Sequence, residues 1–506
     1  MLARVAAFAL DGVTSRRVTV ECDARRSGLP AFTLVGLADK AVRESRDRVK
    51  SAVVNAGYEF PGGRVTMNLA PAYLRKHGAG FDLPLAIALL VATDQLSQAE
   101  VEDCAFAGEL RLDGSVTAVR GVLAISEGAR RHGFARMVVP AGCAREAALV
   151  DGIDVVPVTT LVEAVDVLRG LTEVPVLPAA VAPLVPGPAR PDFDEVRGHA
   201  SLLPAVEIAA AGGHNLYLHG PPGTGKTMIA RRLPTILPPL SHQEALEVTR
   251  IHSVAGERND GRLITERPFR APHHTISPSG LIGGGSSPKP GEITLAHNGV
   301  LFLDELAEFP RSALEGLRQP LEDGRVVIVR SQRVMTFPTR CMLVAASNPC
   351  PCGMGDHRCR CSAADLARYE RRLSGPLLDR LDLTVHIPRP TAAQLRDERP
   401  VSSSELRARV IAARDLQAVR HAGTGISCNA QMTPRAVTEL ARVGDGALRR
   451  LYDLHDAYGL SARGHHRVLR VARTVADLAG ADRVDVEHVA TALALRTDSP
   501  DLAAAA

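Results

Sequence analysis

The sequence predicts an α/β protein of several domains with a helical region toward its C-terminal end. Three observations carry this reading. The chain has 506 residues, whereas one compact core holds roughly 100–200. Short β-like runs alternate with helical runs up to about Pro390, the pattern of layered α/β domains. From Ser402 onward Ala, Arg, Leu and Val recur at helical spacing with few strand signals, as in a bundle of helices.

Residues 1–170 mix β-like runs, Arg17–Glu21 and Arg64–Asn68, with helical runs, Asp39–Ala56 and Leu83–Leu96, and are expected to form one α/β domain. The opening MLARVAAFALDGV is expected to be its first strand, because the apolar stretch is interrupted at Asp11 and no cleavage-site pattern follows. Residues 171–191 carry Pro175, Pro178, Pro183, Pro186, Pro188 and Pro191, which predicts an extended linker. Residues 192–395 hold the phosphate-type motifs, and residues 400–500 the helical domain. The longest apolar run, Leu83–Ala92, is far short of the ~20 residues that span a bilayer. A membrane protein is therefore excluded, and a cytoplasmic location is expected. The net charge of +4 comes from 60 basic and 56 acidic residues, so any nucleic-acid-binding surface must be local. Aromatics are only 3% with no Trp, which argues against base-stacking platforms.

The strongest local signal is Gly220-Pro221-Pro222-Gly223-Thr224-Gly225-Lys226-Thr227. It lies between a buried-type strand, Asn215–His219, and a helical run, Lys226–Leu233, expected to end at Pro234. A P-loop requires that setting. The glycines let backbone amides close on a phosphate, the helix N-terminus adds its positive end, Lys226 neutralises β/γ oxygens and Thr227 offers a hydroxyl to Mg²⁺. A second acidic element is then needed, and Val300–Leu303 supplies it as an apolar strand running into Asp304 and Glu305. Asp304 is expected to hold Mg²⁺, and Glu305 to orient and deprotonate water. A third strand, Met342–Ser347, ends in Asn348, placed to position that water at the edge where open sheets bind ligands.

With these motifs in place, the order of the rest resembles the YifB/ComM family of magnesium-chelatase-like AAA+ ATPases. The resemblance spans nearly the whole chain. Its most specific pieces are Val196-Arg-Gly-His199, Glu207–Asn215, Arg267-Pro-Phe-Arg-Ala-Pro-His-His-Thr275 and Gly291–Asn298. It implies an AAA+ P-loop core with ATP and Mg²⁺, preceded by a Lon-protease-like α/β domain, followed by a helical lid domain, and assembled as a homo-hexameric ring. It further implies that Arg380 is an arginine finger reaching a neighbour's nucleotide and that Arg463 is the second sensor, with Arg467 and Arg470 as competitors. In relatives a hairpin such as Arg325–Thr336 lines the central pore, which makes Arg330 and Arg333 at its tip, with Lys289 in the insert Gly283–Pro290, candidate DNA-backbone contacts.

Gly108–Val116 and Arg75–Asp82 resemble the proteolytic domain of Lon, but the Ser/Lys dyad positions fall on Gly80 and Leu123, which excludes that chemistry. Cys350, Cys352, Cys359 and Cys361 form two CxC pairs with His357 between them. Four thiolates suit a tetrahedral zinc ion; free thiols and redox chemistry are the other readings. His273 and His274 are adjacent in a segment expected to be extended, so their rings are expected to point apart, in a structural or pore-loop role. Two functions are open. One is a DNA translocase or helicase promoting branch migration during DNA uptake and recombination, the other an ATP-dependent protein remodeller related to the magnesium chelatase ATPase subunit.

Overall fold

The computed structural model describes residues 2–25, 27–37, 39–174, 191–257, 261–285, 289–330, 333–355, 359–373, 375–397, 399–455 and 460–496. Most of the expected linker, His357, and the side chains of Arg330 and Arg333 lie outside them. The chain divides into two compact units: Met1–Val185 with His242–Ile264 and Val329–Phe337, and Pro186–Ser241 with Thr265–Ile328 and Pro338–Ala506.

The first unit is built on a seven-stranded mixed sheet. Its strands are β1 (Leu2–Asp11), β2 (Thr14–Ala24), β3 (Ala31–Val35), β4 (Arg64–Ala70), β5 (Cys104–Phe106), β6 (Arg136–Pro140) and β7 (Asp154–Val158), in the order β3-β4-β2-β1-β5-β6-β7. The hairpin β1–β2 turns at Gly12, and the alternation of the N-terminal segment buries Val5, Ala7 and Ala9 together with Val18 and Val20. Helix α1 (Lys40–Asn55) starts where Asp39 caps the amide of Val42, as an Asp at that position does. Helix α2 (Asp82–Ala92) is buried along its full length, which explains why its apolar pattern has no polar face. The carboxylate of Asp82 is buried with it and is held by Arg48 at 2.7 Å. Helix α3 (Val122–Arg131) meets α4 (His242–Ala255) in the same unit, where Arg250 pairs with Glu127 at 2.9 Å.

The second unit carries an all-parallel five-stranded sheet. Its strands are β8 (Leu216–His219), β9 (Phe269–Arg270), β10 (Val300–Leu303), β11 (Met342–Ser347) and β12 (Leu383–His386), in the order β9-β10-β11-β8-β12. Every residue of β10 and β11 is buried, as expected of parallel strands covered on both faces. Register aligns His219 with Ser347 and with His386, and Leu303 with Ala345. The ends of β8, β10 and β11 therefore open on one edge, and the glycine-rich turn, the two acids and Asn348 all follow from it. Helices α5 (Ser403–Arg420), α6 (Ala462–Leu478) and α7 (Val486–Ala494) share one apolar core with this sheet, joining Leu406, Val410 and Leu469 to Leu216, Val300 and Val344. Among the described residues no helix is long and apolar enough to cross a membrane.

Two local expectations fail. The helix after the glycine turn runs Lys226–Ile236 and passes through Pro234. Burial of Leu233 and Ile236 on one face offsets the backbone hydrogen bond that a proline removes. The run Arg311–Gln319, whose pattern predicts one helix that Pro320 ends or bends, is two short helices, Arg311–Gly316 and Arg318–Asp323. Pro320 sits in the first turn of the second, where a missing N–H costs nothing. Residues Arg325–Arg330 and Arg333–Pro338 form a two-stranded sheet of their own.

Candidate nucleotide site

The phosphate loop is shaped by close approach. A side chain at Gly220 would stand 2.2 Å from the carbonyl oxygen of Ile387, so only glycine fits between β8 and the exit of β12. Gly225 has φ +83° and is the N-cap of the following helix, a left-handed position that favours glycine. Thr224 hydrogen-bonds back to the carbonyl of Pro221 at 2.9 Å, which closes the turn.

Lys226, only 8% exposed, donates to the carbonyl oxygens of Gly220 at 2.6 Å and Pro221 at 2.9 Å and to Oδ1 of Asn348 at 3.2 Å. Burial pushes its ammonium below the ordinary lysine range, and Asp304 restores part of the shift. Thr227 Oγ1 donates to Asp304 Oδ2 at 2.7 Å. A hydroxyl and a carboxylate oxygen side by side are the hard donors that Mg²⁺ takes, so the residues present fit that ion. Glu305 follows with φ +53°, a conformation a side chain adopts at a cost and one that gathers at working sites. Its own amide donates to Asp304 Oδ1 at 3.0 Å, and its carboxylate is 56% exposed. Thus Lys226, Thr227, Asp304, Glu305 and Asn348 form one constellation at one sheet edge.

Sequence reasoning missed two members of this constellation. His274 lies 3.5 Å from Glu305 Oε2, and its ring lies close to that of His273, with centroids 4.1 Å apart and the planes tilted by 34°. The expectation that the two rings point apart is therefore overturned: residues 273–275 turn, with the His273 imidazole hydrogen-bonding Thr275 at 2.9 Å. The second is Tyr369, whose buried hydroxyl donates to the carbonyl of Asn348 at 2.9 Å and so fixes the backbone under the amide. Only the position of His274 in a distinctive motif hinted at either.

Arg380 and Arg463 meet on one carboxylate. Arg380, with a side chain 13% exposed, pairs with Glu322 Oε1 at 3.0 Å and donates to the Arg318 carbonyl at 3.2 Å. Arg463, 69% exposed, pairs with the same oxygen at 2.9 Å. Its two competitors are placed differently. Arg467, 11% exposed, lies 3.7 Å from Asp382, and Arg470 donates to the carbonyl of Ala430. Burial pushes both guanidiniums below their ordinary range. Lys289 is exposed on a two-residue strand paired with Gly283–Gly284; Arg330 and Arg333 end the two strands of the hairpin.

The four cysteines converge. Their Sγ atoms all lie within 4.8 Å of one another, with separations of 3.3 Å (Cys350–Cys352), 3.6 Å (Cys350–Cys359) and 3.9 Å (Cys352–Cys359). The backbone amides of Arg360 and Met354 hold the Cys352 thiol down at about 6. In the first unit Gly80 lies in the single turn Ala79–Phe81, and Leu123 is fully buried in α3.

A glycine turn feeding a helix N-terminus, and an acid-ended strand one place removed across the sheet, define the P-loop nucleotide-binding class. Comparison with known proteins narrows this. Residues 192–395 match the family model described as magnesium chelatase, subunit ChlI. Residues 20–142 match subunit ChlI of Mg-chelatase, and residues 400–496 its C-terminal part. The chain is 41% identical over 502 residues to competence protein ComM of Haemophilus influenzae, covering 98% of this chain and 97% of that one. It is 40% identical over 491 residues to the uncharacterized protein YifB of Escherichia coli, covering 96% and 95%. An uncharacterized protein of Mycobacterium tuberculosis is 46% identical over 498 residues, with 98% of both chains covered. The chain belongs to the YifB/ComM family of magnesium-chelatase-like AAA+ ATPases.

Proposed function

We propose that the protein is a cytoplasmic ring motor, a homo-hexamer, that hydrolyses ATP to move along DNA and promote branch migration during DNA uptake and recombination. The observation that carries the ATPase reading is the contact of Thr227 with Asp304, flanked by Lys226–Asn348 on one side and Glu305–His274 on the other. In this reading Gly220–Thr227 cradle the phosphates and Lys226 turns from its carbonyls to the β/γ oxygens. Thr227 and Asp304 hold Mg²⁺, which supplies charge to the phosphate oxygens. Glu305 draws the proton from water that Asn348 orients. Arg380 brings the balancing positive charge to a neighbour's site, and Arg463 acts as the second sensor. The four cysteines hold zinc.

The DNA substrate is supported by the competence designation of the Haemophilus relative and by the arginines that flank the hairpin turn, together with the exposed Lys289. The match to a magnesium chelatase subunit favours a second reading, a protein remodeller. ATPase rates measured with single-stranded, duplex and branched DNA separate the two. Stimulation that is lost in Arg330→Ala plus Arg333→Ala, and weakens with rising salt, is the expected result. No stimulation by any DNA rejects the translocase.

A further inference from the structure

The four-cysteine cluster closes a loop that begins and ends on the candidate catalytic amide. Asn348 is joined to Cys350 through Pro349 alone. Cys361 is followed at once by Ser362, which caps helix Ala363–Arg372 in a reciprocal box with Asp365. That helix returns Tyr369 to the Asn348 carbonyl at 2.9 Å. The loop also lies against the phosphate loop: a side chain at Gly353 would stand 3.1 Å from Pro222 and 3.9 Å from the amide carbon of Asn348.

Among the described residues of this loop no apolar core forms. Its one large apolar side chain, Met354, is 45% exposed, and Cys350 alone among the four cysteines is buried. The sulfur positions fit a metal staple. A zinc ion with four Zn–S bonds of about 2.3 Å in tetrahedral array separates its sulfurs by about 3.8 Å, and the three separations of 3.3, 3.6 and 3.9 Å bracket that value. A disulfide needs about 2.05 Å, and all four cysteines are free.

We infer that the two zinc-stapled segments, residues 349–355 and 359–361, are a brace for the hydrolytic step: they fix Asn348 against Lys226 and limit the travel of the phosphate loop at Pro222, so that metal loading sets turnover and leaves nucleotide affinity largely to Gly220–Thr227. This rests on the zinc reading, and its test separates the two. Zinc per chain is measured on full-length protein purified without a histidine tag, with thiol titration before and after a zinc-selective chelator in excess Mg²⁺. ATPase kinetics and equilibrium binding of a fluorescent ATP analogue are then compared for loaded protein, stripped protein and Cys359→Ser plus Cys361→Ser. One zinc per chain is expected, with a fall in kcat of at least about tenfold on its loss, as misplacement of a reacting group by an ångström or so produces, and a change in Kd of less than about threefold. Absence of stoichiometric zinc overturns the metal reading. Zinc present, with kcat unchanged on its removal, overturns the brace. Should stripping unfold the chain, Tyr369→Phe decides: it leaves the four cysteines untouched and deletes the hydroxyl that bonds the Asn348 carbonyl and the Ser347 side chain. It must lower kcat with Kd and zinc content intact, and an unchanged kcat there also refutes the brace.

Discussion

Asp382 offers the sharpest test of how the site is held, because it ties three strands together without touching nucleotide chemistry. Its carboxylate is 7% exposed. It accepts the Asn215 amide at 3.0 Å and lies 3.6 Å from His214 and 3.7 Å from Arg467. Asn215 in turn accepts the Leu343 amide at 2.9 Å and donates to the Arg380 carbonyl at 3.2 Å. Asp382→Ala leaves Arg467 buried without its counter-charge and the Asn215 amide without an acceptor. Breaking a buried pair from one side costs about 3–5 kcal/mol, which at roughly 2–4 °C per kcal/mol lowers the melting temperature by about 6–20 °C. Calorimetry of the full chain reads this, with tyrosine fluorescence as a second probe. Burial alone would raise the Asp382 pKa, but His214, Arg467 and Arg470 more than offset it and hold the carboxyl below its ordinary value. A depressed folded pKa contributes stability that is fully present above the unfolded value of about 3.9 and lost as pH falls through the folded one. The Asp382 contribution to the difference between wild type and variant therefore shrinks as pH falls below about 4. A melting shift under about 2 °C at neutral pH, well below what a broken buried pair produces, refutes the network.

Three further outcomes follow from the same geometry. Glu305→Gln keeps ATP binding and lowers kcat by about 10²–10⁴, the usual worth of a general base, as read by single-turnover hydrolysis beside nucleotide affinity. Arg463→Ala loses ATPase with its melting temperature intact, whereas Arg467→Ala loses melting temperature; the reverse pattern, read by paired thermal and steady-state assays, assigns the sensor to Arg467. His274→Ala frees the Glu305 side chain and lowers kcat by about tenfold with Kd unchanged, on the positioning scale of a neighbouring group, and His274→Gln recovers part of the loss.

The chain's ordering signals were legible where local chemistry alone decides them. The glycine turn, Asp304 with Glu305 and the Asn348 strand end were readable because each is a motif whose backbone and side-chain demands are met within a few residues. The α2 span was readable because a run with no polar face has only a buried place to go. What failed was local inference about competing terms. Pro234 reads as a stop signal, yet the helix continues because Leu233 and Ile236 bury their side chains a turn further on. His273 and His274 read as divergent, but a turn at Thr275 brings their rings together.

The arginines show the deeper limit. Sequence puts Arg463 forward as the second sensor with Arg467 and Arg470 as competitors at helical spacing, and the fold distinguishes them by what each faces. Arg467 and Arg470 point into the body of the unit, toward Asp382 and the Ala430 carbonyl. Arg463 remains 69% exposed and shares Glu322 with Arg380. Glu322 comes from a helix with no motif of its own, about 60 residues before one arginine and 140 before the other in the sequence, so no local pattern could have nominated it. Two cations on one carboxylate oxygen repel one another, and it is the Glu322 carboxylate between them that holds both in place. Removing the carboxylate must then move both arginines at once. In Glu322→Gln, the single-arginine phenotypes of Arg380→Ala and Arg463→Ala are each expected to become smaller than in wild type, the mark of residues that act through a shared partner. Full additivity of the three substitutions in ATPase rate would show that the arginines work independently and that their meeting at Glu322 is incidental.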